Sequence, residues 1–382
     1  MNLSELIEGL AVTGGAGAGR VRVCDITDDS RTALLGTLFI ARAGTKADGR
    51  KFIPDAVKAG AVAVLTDDPM VRVPAGVPAL VCENLPVAAA VMAERFYGNA
   101  SAKLDLIAIT GTNGKTTTAH LVHQMLNSAG VRCGLIGTVE IDDGREVAAA
   151  SLTTPPATEL SRTFATMLEN GCKAAAMEVS SHALDQSRVA ALKFDVGVFT
   201  NLTGDHLDYH GTMEAYGAAK AKLFAMLPQT GWAVVNAEDP AGRIMAAETR
   251  AQVLWCSVKD GHRRPSEVPA SGTPQHGLQA RATIREMSMS GTVAEFAGPW
   301  GIFESRLGLI GRHNVMNSLQ AVAAAWATGV PPGVLTRVIG GVKPPPGRLE
   351  PVTGPSESFA VLVDYAHTDD ALNKVLTTLR PL

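Results

Sequence analysis

The sequence of 382 residues has few aromatic side chains, few cysteines and almost no net charge. Aromatic residues make up 5% of the chain and the formal net charge is −3, so nothing in the composition indicates a nucleic-acid or membrane surface. No apolar run approaches the length that spans a bilayer, and the first residues lack the basic and apolar segments of a targeting signal. We therefore expect a cytoplasmic protein without membrane or nucleic-acid partners.

The cysteines are too scattered to organise a fold. The five residues are far apart, odd in number and never in a Cys-x-x-Cys pair, which argues against a disulfide framework or a zinc site. We expect buried free thiols in a reducing compartment at Cys24, Cys82, Cys133, Cys172 and Cys256.

The alternation of strand-like and helical segments predicts an α/β protein with two or three domains. At 382 residues the chain exceeds what one hydrophobic core usually holds. From residue 21 to about 101, short β-rich runs alternate with helical patterns, which predicts a small α/β domain. Further along, buried strands are predicted at 104–110, 174–179, 196–200 and 233–236. This repetition predicts a mostly parallel sheet wrapped by helices, with ligands at the carboxyl ends of its strands.

The remainder of the chain shows weaker patterns. A Gly/Pro-rich stretch at 260–279 predicts a surface loop, and a Pro-rich linker lies near 343–347. A third α/β unit is predicted to begin at 360–364. The predicted domains are 1–102, 103–342 and 343–382.

A phosphate-binding loop is the most informative motif. An apolar strand breaks into a glycine-bearing turn that opens a helix, so backbone N–H groups and the helix N-terminus can meet phosphate oxygens. A lysine in this position reaches the β/γ oxygens, and the next hydroxyl can ligate Mg²⁺. The candidate ATP-binding residues here are Gly111, Thr112, Asn113, Gly114, Lys115, Thr116 and Thr117.

The spacing of this loop differs from the general P-loop, since Ile109 stands where the first glycine of G-x-x-x-x-G-K-[ST] would be. The short form Thr-Gly-Thr-Asn-Gly-Lys-Thr-Thr resembles the Mur ligase family, which joins amino acids to a growing peptide at the cost of ATP. The resemblance implies a central ATPase domain between two smaller α/β domains.

A second motif, Glu-Val-Ser-Ser-His, follows the strand predicted at 174–179. A nucleophilic pair of Ser181 and His182 is disfavoured, because adjacent residues on an extended segment point oppositely and no nucleophile elbow is present. The motif resembles the UDP-N-acetylmuramoyl-tripeptide synthetases of the Mur family. That resemblance implies that Glu178 binds Mg²⁺. It also implies that the muramoyl-peptide substrate is held by Ser180, Gln186 and Arg188.

Two further segments match family motifs around the metal. The histidine that ligates a second Mg²⁺ in the family matches His206, although Gly204 replaces a common arginine. The motif Met-Glu-x-Tyr-x-x-Ala-Lys, whose lysine is carbamylated by CO₂ in the family, matches residues 213–220. The resemblance therefore implies N6-carboxylysine at Lys220, and a carbamate is an anion that suits Mg²⁺ beside triphosphate. The implied catalytic residues are Lys115, Glu178, His206 and Lys220, and the implied metal ligands are Thr116, Glu178, His206 and carbamylated Lys220.

The resemblance extends towards both ends of the chain. Residues matching the family's contacts to the UDP-muramoyl substrate are Ser30, Thr45, Lys46, Ala47, Thr153 and Thr154. Residues matching its adenine, phosphate and ribose contacts are Asn314, Asn317, Arg348 and Asp364. At 367–370, His-Thr-Asp-Asp departs from the usual His-Thr-Pro-Asp, which affects only local turn rigidity.

The function implied is ATP-dependent addition of meso-diaminopimelate or L-lysine to UDP-N-acetylmuramoyl-L-alanyl-D-glutamate through an acyl phosphate. The expected cofactors are ATP, Mg²⁺ and CO₂, and the expected state is a monomer. The alternatives are a non-catalytic nucleotide-sugar binding protein derived from such a ligase and a ligase like folylpolyglutamate synthetase. The family's motif for choosing the third amino acid would lie beyond Leu382.

The segment after the linker is short. A complete α/β domain needs on the order of 100 residues, and 343–382 supplies fewer. We therefore expect this chain to bind the UDP-muramoyl dipeptide without forming the new peptide bond on its own, and its last segment, including Val361 and Leu362, to be poorly packed.

Overall fold

The computed structural model describes residues 1–14, 17–44, 48–260, 277–353, 357, 359–367 and 369–382. The chain divides into two compact units. The first unit comprises Met1–Lys103, Pro155–Thr166 and Asp185–Leu192, and the second comprises Leu104–Thr154, Met167–Leu184 and Lys193–Leu382. The domain boundaries predicted above stay a prediction.

The first 103 residues form a small α/β sheet. Its strands run in the order β1-β5-β4-β3-β2, and β2 to β5 are mutually parallel while β1 is antiparallel. The elements are α1 (Leu3–Ile7), β1 (Thr13–Gly14), β2 (Asp25–Thr27), β3 (Thr37–Ala41), α2 (Ile53–Ala59), β4 (Ala63–Thr66), β5 (Ala79–Val81) and α3 (Leu85–Phe96). Helix α3 begins where the Asn84 side chain accepts a hydrogen bond from Val87 N, and its alanine-rich face packs on the sheet.

The strands of the second unit form one large sheet. From one edge to the other its order is β16-β15-β14-β13-β12-β11-β6-β10-β7-β8-β9. The strands are β6 (Asp105–Thr110), β7 (Cys133–Ile136), β8 (Glu140–Asp142), β9 (Val147–Ala149), β10 (Ala174–Glu178), β11 (Val196–Phe199), β12 (Trp232–Asn236), β13 (Gln252–Asp260), β14 (Leu278–Ser288), β15 (Gly291–Gly298) and β16 (Gly301–Leu307). The seven central strands of this order, β14, β13, β12, β11, β6, β10 and β7, are mutually parallel. Antiparallel strands extend the sheet at both edges, with β15 and β16 on one side and β8 and β9 on the other.

Helices cover this sheet and bury its aliphatic strands. The helices of this unit are α4 (Lys115–Ser128), α6 (Ser181–Asp185), α7 (Leu207–His210), α8 (Met213–Ala225), α9 (Gly242–Glu248), α10 (Arg312–Ala327) and α11 (Pro332–Val338), while α5 (Ala157–Glu169) belongs mostly to the first unit. The main core joins α4 and α10 to the strands through residues such as Ile107, Val122, Val198 and Leu319. A two-stranded pair, β17 (Glu350–Pro351) and β18 (Leu362–Val363), and helix α12 (Asp369–Leu379) follow.

The register places the carboxyl ends of three neighbouring strands together. Ile109 of β6 pairs with Glu178 of β10, and Thr110 pairs with Phe199 of β11. Segments that leave these strands therefore meet at one edge of the sheet, where ligands bind in open α/β folds.

The predicted mixed α/β fold with a mostly parallel sheet is confirmed. One expectation is wrong: Cys24 is exposed, whereas the other four thiols are buried, and all five are free. The loop predicted at 260–279 falls mostly outside the described residues, and its described end belongs to β14. In the last segment Val361 is exposed and Leu362 pairs with Pro351. No helix in the described part of the chain combines the length and apolar character needed to cross a bilayer.

Candidate functional site

The phosphate loop, residues 111–114, leaves the carboxyl end of β6 and opens helix α4. Gly111 has φ +145°, and a Cβ atom there would lie 1.9 Å from Thr200 Oγ1, so this position requires glycine. Two residues that follow β11 clamp the loop. Thr200 Oγ1 donates to the Asn113 carbonyl at 2.7 Å, and the Asn201 side chain accepts from Asn113 N at 3.0 Å and donates to its carbonyl at 2.9 Å. The loop backbone is thus fixed by hydrogen bonds within the protein.

Two lysine side chains converge on one carbonyl oxygen of this loop. Lys115 Nζ donates to Gly111 O at 3.0 Å and to Thr112 O at 2.9 Å. Lys220 Nζ, from α8, donates to the same Gly111 oxygen at 2.9 Å and lies 4.3 Å from the centroid of the Tyr216 ring. Two ammonium groups on one acceptor repel each other, so this arrangement favours a neutral or modified form of one lysine.

Burial decides which lysine is the better candidate for that form. Lys220 is only 1% exposed, and its removal from water, together with the nearby charge of Lys115, holds its pKa well below the usual range. Removal from water also lowers the pKa of Lys115, but two carboxylates, Glu178 and Asp205, oppose that shift, against Asp205 alone for Lys220.

Glu178 ends β10 as a fully buried carboxylate with three neutral donors. Thr138 N donates to Oε1 at 2.7 Å, and Thr138 Oγ1 and Thr116 Oγ1 each donate to Oε2 at 3.1 Å. Thr116 also accepts a hydrogen bond from the Arg348 guanidinium at 3.3 Å. Thr116, beyond the end of β6, and Glu178, at the end of the neighbouring β10, are therefore in direct contact.

His206 lies on the loop that follows β11, here called the histidine loop (residues 204–211). Its backbone is left-handed, with φ 53°, and its side chain is 45% exposed. The ring contacts the rings of His182 and Tyr216, with centroids 4.9 and 6.1 Å away, and Nε2 lies 3.5 Å from the Asp205 carboxylate. Through Tyr216 this histidine is linked to Lys220.

Ser181, considered above as a partner of His182, contacts a different histidine. Ser181 Oγ lies 2.9 Å from Nε2 of His210, not His182, and Ser181 is 1% exposed. A buried hydroxyl of this kind orients a loop and is poorly placed as a nucleophile.

The predicted metal ligands do not form a cluster of His, Cys, Asp and Glu side chains. Among the described residues, no group of three or more His, Cys, Asp or Glu side chains is arranged to hold a metal ion. The predicted set differs from such a group, because it contains the Thr116 hydroxyl and carbamylated Lys220 beside Glu178 and His206. It therefore stays a prediction.

The residues predicted on the adenine and ribose side surround the start of α4 and α10. A Cβ at Gly114 would lie 2.6 Å from Asn317 Oδ1, so the Asn317 amide touches the phosphate loop. Asn314 is buried, donates to Ile310 O at 2.8 Å and accepts from Asn317 Nδ2 at 3.1 Å. Its amide is therefore already engaged within α10 and its N-terminal turn.

Arg348 and Asp364 lie on two segments that contact each other. The Asp364 carboxylate accepts from Leu349 N and Ala366 N, both at 2.8 Å. The Arg348 guanidinium lies 5.2 Å from the centroid of the Tyr365 ring. Thr117, the last predicted residue of the phosphate motif, is buried on α4.

The residues predicted to hold the muramoyl peptide fall in both compact units. In the second unit, Thr153 Oγ1 lies 3.0 Å from Thr138 Oγ1, and Thr154 Oγ1 donates to Glu178 O at 2.9 Å and accepts from Ser180 N at 3.0 Å. Thr153 thus contacts Thr138, a donor to the Glu178 carboxylate, whereas Thr154 joins Ser180 to the backbone carbonyl of Glu178.

In the first unit, the Arg188 guanidinium donates two hydrogen bonds to the side-chain amide oxygen of Gln186, at 2.7 and 3.1 Å. Both side chains line a cavity together with the ion pair of Arg42 and Asp28, whose atoms are 2.9 Å apart. Ser30 begins a short 3₁₀ turn in the same unit. The predicted residues Thr45, Lys46 and Ala47 lie outside the described residues.

Sequence reasoning missed the residues that hold the site in place. These are Thr138, Thr200, Asn201, Asp205 and Tyr216. For Thr138, Thr200 and Asn201, the available signal was a polar residue just beyond a buried strand, because such residues meet at the same edge of the sheet.

Two family profiles match the chain. The family profile described as the Mur ligase middle domain matches residues 109–325, and the one described as the Mur ligase family, catalytic domain, matches residues 24–97. The UDP-N-acetylmuramoyl-L-alanyl-D-glutamate--2,6-diaminopimelate ligase of Synechococcus elongatus is 42% identical over 365 residues, which cover 94% of this chain and 70% of that protein.

Solved structures share the fold. A structure of a UDP-N-acetylmuramoyl-L-alanyl-D-glutamate--2,6-diaminopimelate ligase has a TM-score of 0.79 at 27% identity, covering 100% of this chain and 74% of that one. The MurF ligase of Thermotoga maritima in complex with ADP has a TM-score of 0.64 at 18% identity, covering 94% of this chain and 75% of that one.

Proposed function

Because the chain belongs to the Mur ligase family, we propose that it uses ATP to join a diamino acid to UDP-N-acetylmuramoyl-L-alanyl-D-glutamate. The observation that carries the proposal is the convergence of Lys115, Lys220, Thr116 and Glu178 on one phosphate loop. The names of the similar ligases favour 2,6-diaminopimelate over L-lysine as the incoming amino acid. No observation favours the folylpolyglutamate-type or non-catalytic alternatives.

In this reaction the substrate carboxylate attacks the γ-phosphorus of ATP, which gives an acyl phosphate and ADP. The amino group of the diamino acid then attacks the acyl carbon and expels phosphate. The protein's task is to position these groups and neutralise charge, since a covalent nucleophile is not required. Lys115 is the chain's own cation for the β/γ oxygens, and moving from the loop carbonyls to phosphate exchanges two neutral acceptors for charged ones.

The donor set fits Mg²⁺. The Thr116 hydroxyl and the Glu178 carboxylate are hard oxygen ligands 3.1 Å apart at the end of the phosphate loop. We propose that His206 and carbamylated Lys220 are the remaining protein ligands. Bound Mg²⁺ would neutralise charge on the triphosphate.

Carbamylation of Lys220 is supported by its surroundings. Burial lowers the pKa of Lys220 and so favours the neutral amine, which is the form that adds CO₂. The resulting carbamate would replace the repulsion between the two lysines on Gly111 O by attraction to Lys115.

The remaining sites complete the proposal. We assign ATP to the phosphate loop with Asn314, Asn317, Arg348 and Asp364, as the family motifs suggest. We assign the UDP-muramoyl dipeptide to Ser30, Thr45, Lys46, Ala47, Thr153, Thr154, Ser180, Gln186 and Arg188. The five free thiols support a reducing, cytoplasmic location, and we propose a monomer.

The test is phosphate release from ATP, with diaminopimelate and Mg²⁺ present, with and without the muramoyl dipeptide, because phosphate leaves only when the amino group attacks the acyl phosphate. Phosphate release should require the dipeptide and Mg²⁺, and the Lys115→Ala variant should lose it. Release that does not depend on the dipeptide, or no release in any combination, would contradict the proposal. Mass analysis of the same mixtures for UDP-muramoyl tripeptide, with diaminopimelate or L-lysine, tests which amino acid is joined.

A further inference from the structure

We propose that Thr138 is a positioning residue with two roles. It orients the Glu178 carboxylate, and it makes the Thr153 hydroxyl a hydrogen-bond acceptor in the muramoyl-peptide site. The inference rests on the proposed function, because it takes Glu178 as a metal ligand and Thr153 as a substrate contact. It adds a physical link between those two sites through a residue that neither the family motifs nor the sequence pattern singled out.

Thr138 supplies two of the three hydrogen bonds that the Glu178 carboxylate accepts from the described residues. Its backbone N–H donates to Oε1 at 2.7 Å and its hydroxyl donates to Oε2 at 3.1 Å. One residue thus grips both oxygens of the carboxylate and fixes the rotation of its plane. Thr116, the third donor, contacts only Oε2 at 3.1 Å, so it cannot fix that rotation alone.

A count of protons gives the direction of the link to Thr153. An ionised carboxylate accepts hydrogen bonds only, so the single hydroxyl proton of Thr138 points at Glu178. The 3.0 Å contact between Thr138 Oγ1 and Thr153 Oγ1 must then use the proton of Thr153. Thr153 is left with lone pairs, so it offers an acceptor and not a donor to a ligand.

An acceptor at this position selects a ligand that presents N–H or O–H. The amides of the muramoyl-peptide portion provide such N–H groups. Because the same network ends on Glu178, disturbing Thr138 would weaken both peptide binding and the binding of Mg²⁺ with nucleotide.

Three substitutions separate this role from a general effect on folding. Thr138→Val removes the hydroxyl but keeps the shape and the backbone N–H, whereas Thr138→Ser keeps the hydroxyl. Thr292→Val is the matched control, because Thr292 is fully buried on β15 and its hydroxyl donates to Leu309 O at 2.9 Å. Should Thr138→Val fail to fold, Thr138→Ala carries the same expectation.

The experiment is isothermal titration calorimetry on the full chain, with the UDP-muramoyl dipeptide and with a non-hydrolysable ATP analogue at several Mg²⁺ concentrations. Thr138→Val should bind the dipeptide about tenfold more weakly and need about threefold more Mg²⁺ for half-maximal analogue binding. Thr138→Ser and Thr292→Val should stay within about twofold of the unaltered chain in both measurements.

A double variant tests whether Thr138 acts through Thr153. If it does, Thr138→Val combined with Thr153→Val binds the dipeptide no more weakly than Thr153→Val alone. Additive losses, or dipeptide binding by Thr138→Val equal to that of the unaltered chain, would overturn the inference. Failure of the unaltered chain to bind the dipeptide would instead overturn the proposed function, and the inference with it.

Discussion

The phosphate loop and the histidine loop leave neighbouring strands of one sheet, yet they are held in different ways. The phosphate loop is buried or half-buried and its backbone is hydrogen-bonded to Thr200 and Asn201. Most of the histidine loop is exposed, and His206 is held by ring contacts and a left-handed backbone. The first is a preformed cradle, whereas the second depends on side-chain contacts that a ligand can rearrange.

The difference suits the two loops to different ligands, the phosphate loop to phosphate and the histidine loop to a metal ion. Backbone groups that bind phosphate must be correctly aimed before phosphate arrives, which lowers the cost of ordering them. A side chain that binds a metal can be recruited when the metal and nucleotide are present. We therefore expect substitutions in the phosphate loop to alter both stability and activity, and substitutions in the histidine loop to alter activity alone.

The largest effect is expected for Lys115→Ala. It removes the cation proposed to meet the β/γ oxygens, so dipeptide-dependent phosphate release should fall by about 10²-fold or more. Binding of the UDP-muramoyl dipeptide should be largely unchanged. Lys173→Ala, at an exposed lysine, is the control and should release phosphate normally. More than about a tenth of the original rate in Lys115→Ala would argue against the cradle.

Lys220→Ala should also remove most activity, because the proposed carbamate cannot form. With ¹³C-bicarbonate, NMR should show a carbamate signal in the unaltered chain that is missing from Lys220→Ala and retained in Lys222→Ala. Excess bicarbonate should not restore activity to Lys220→Ala. Sensitivity of Lys222 instead would mean that the registration of α8 against the family motif is wrong.

A pair of glycine substitutions compares the two loops directly. Gly111→Ala places a Cβ 1.9 Å from Thr200 Oγ1 at φ +145° and should lower the free energy of unfolding by about 3 kcal/mol or more. Gly204→Ala meets no atom within 4 Å and should change it by less than about 0.5 kcal/mol. Denaturant unfolding measures both, and equal losses would remove the contrast between the loops.

The motifs of the site that consist of consecutive residues could be predicted from the sequence. The residues from distant segments that hold these motifs in place could not. The turn from β6 into α4 is encoded by consecutive residues, and Glu178 meets Thr116 because adjacent parallel strands end together. Thr138 was missed because its role depends on β7 lying beside β10, a pairing between segments about 40 residues apart. The clamp by Asn201 was missed for the same reason.

Two larger features were also beyond the sequence pattern. The antiparallel extension by β15 and β16 lies in a region where alternation is weak, with glycines at the strand ends. The inclusion of Pro155–Thr166 and Asp185–Leu192 in the first unit depends on tertiary contacts that periodicity does not contain.

The buried side of α4 predicts a pH effect on stability. Burial, with a smaller effect of His123, lowers the pKa of His120 to about 4, so the folded chain keeps this ring neutral while the unfolded chain protonates it near 6.5. Below pH 6.5 the unfolded state binds the extra proton, so stability should fall by roughly 3 kcal/mol between pH 6.5 and 4. His120→Gln should lose this part of the pH dependence in unfolding experiments, and an unchanged slope would contradict the assignment.

The smallest effect on stability is expected at the exposed histidine. His206→Asn keeps a residue that tolerates the left-handed backbone, so the free energy of unfolding should change by less than about 0.5 kcal/mol. The Mg²⁺ concentration needed for half-maximal binding of an ATP analogue should nevertheless rise. A marked loss of stability would show that the histidine loop is as firmly built as the phosphate loop.

Amide hydrogen exchange tests the contrast between the two loops most directly. Without ligand, the amides of Thr112 and Asn113, which donate to Asn201, should exchange slowly, while those of residues 204–208 should exchange fast. Adding Mg²⁺ and a non-hydrolysable ATP analogue should slow exchange in the histidine loop and change the phosphate loop little. Equal exchange in the two loops, or a histidine loop unaffected by the nucleotide, would contradict the account.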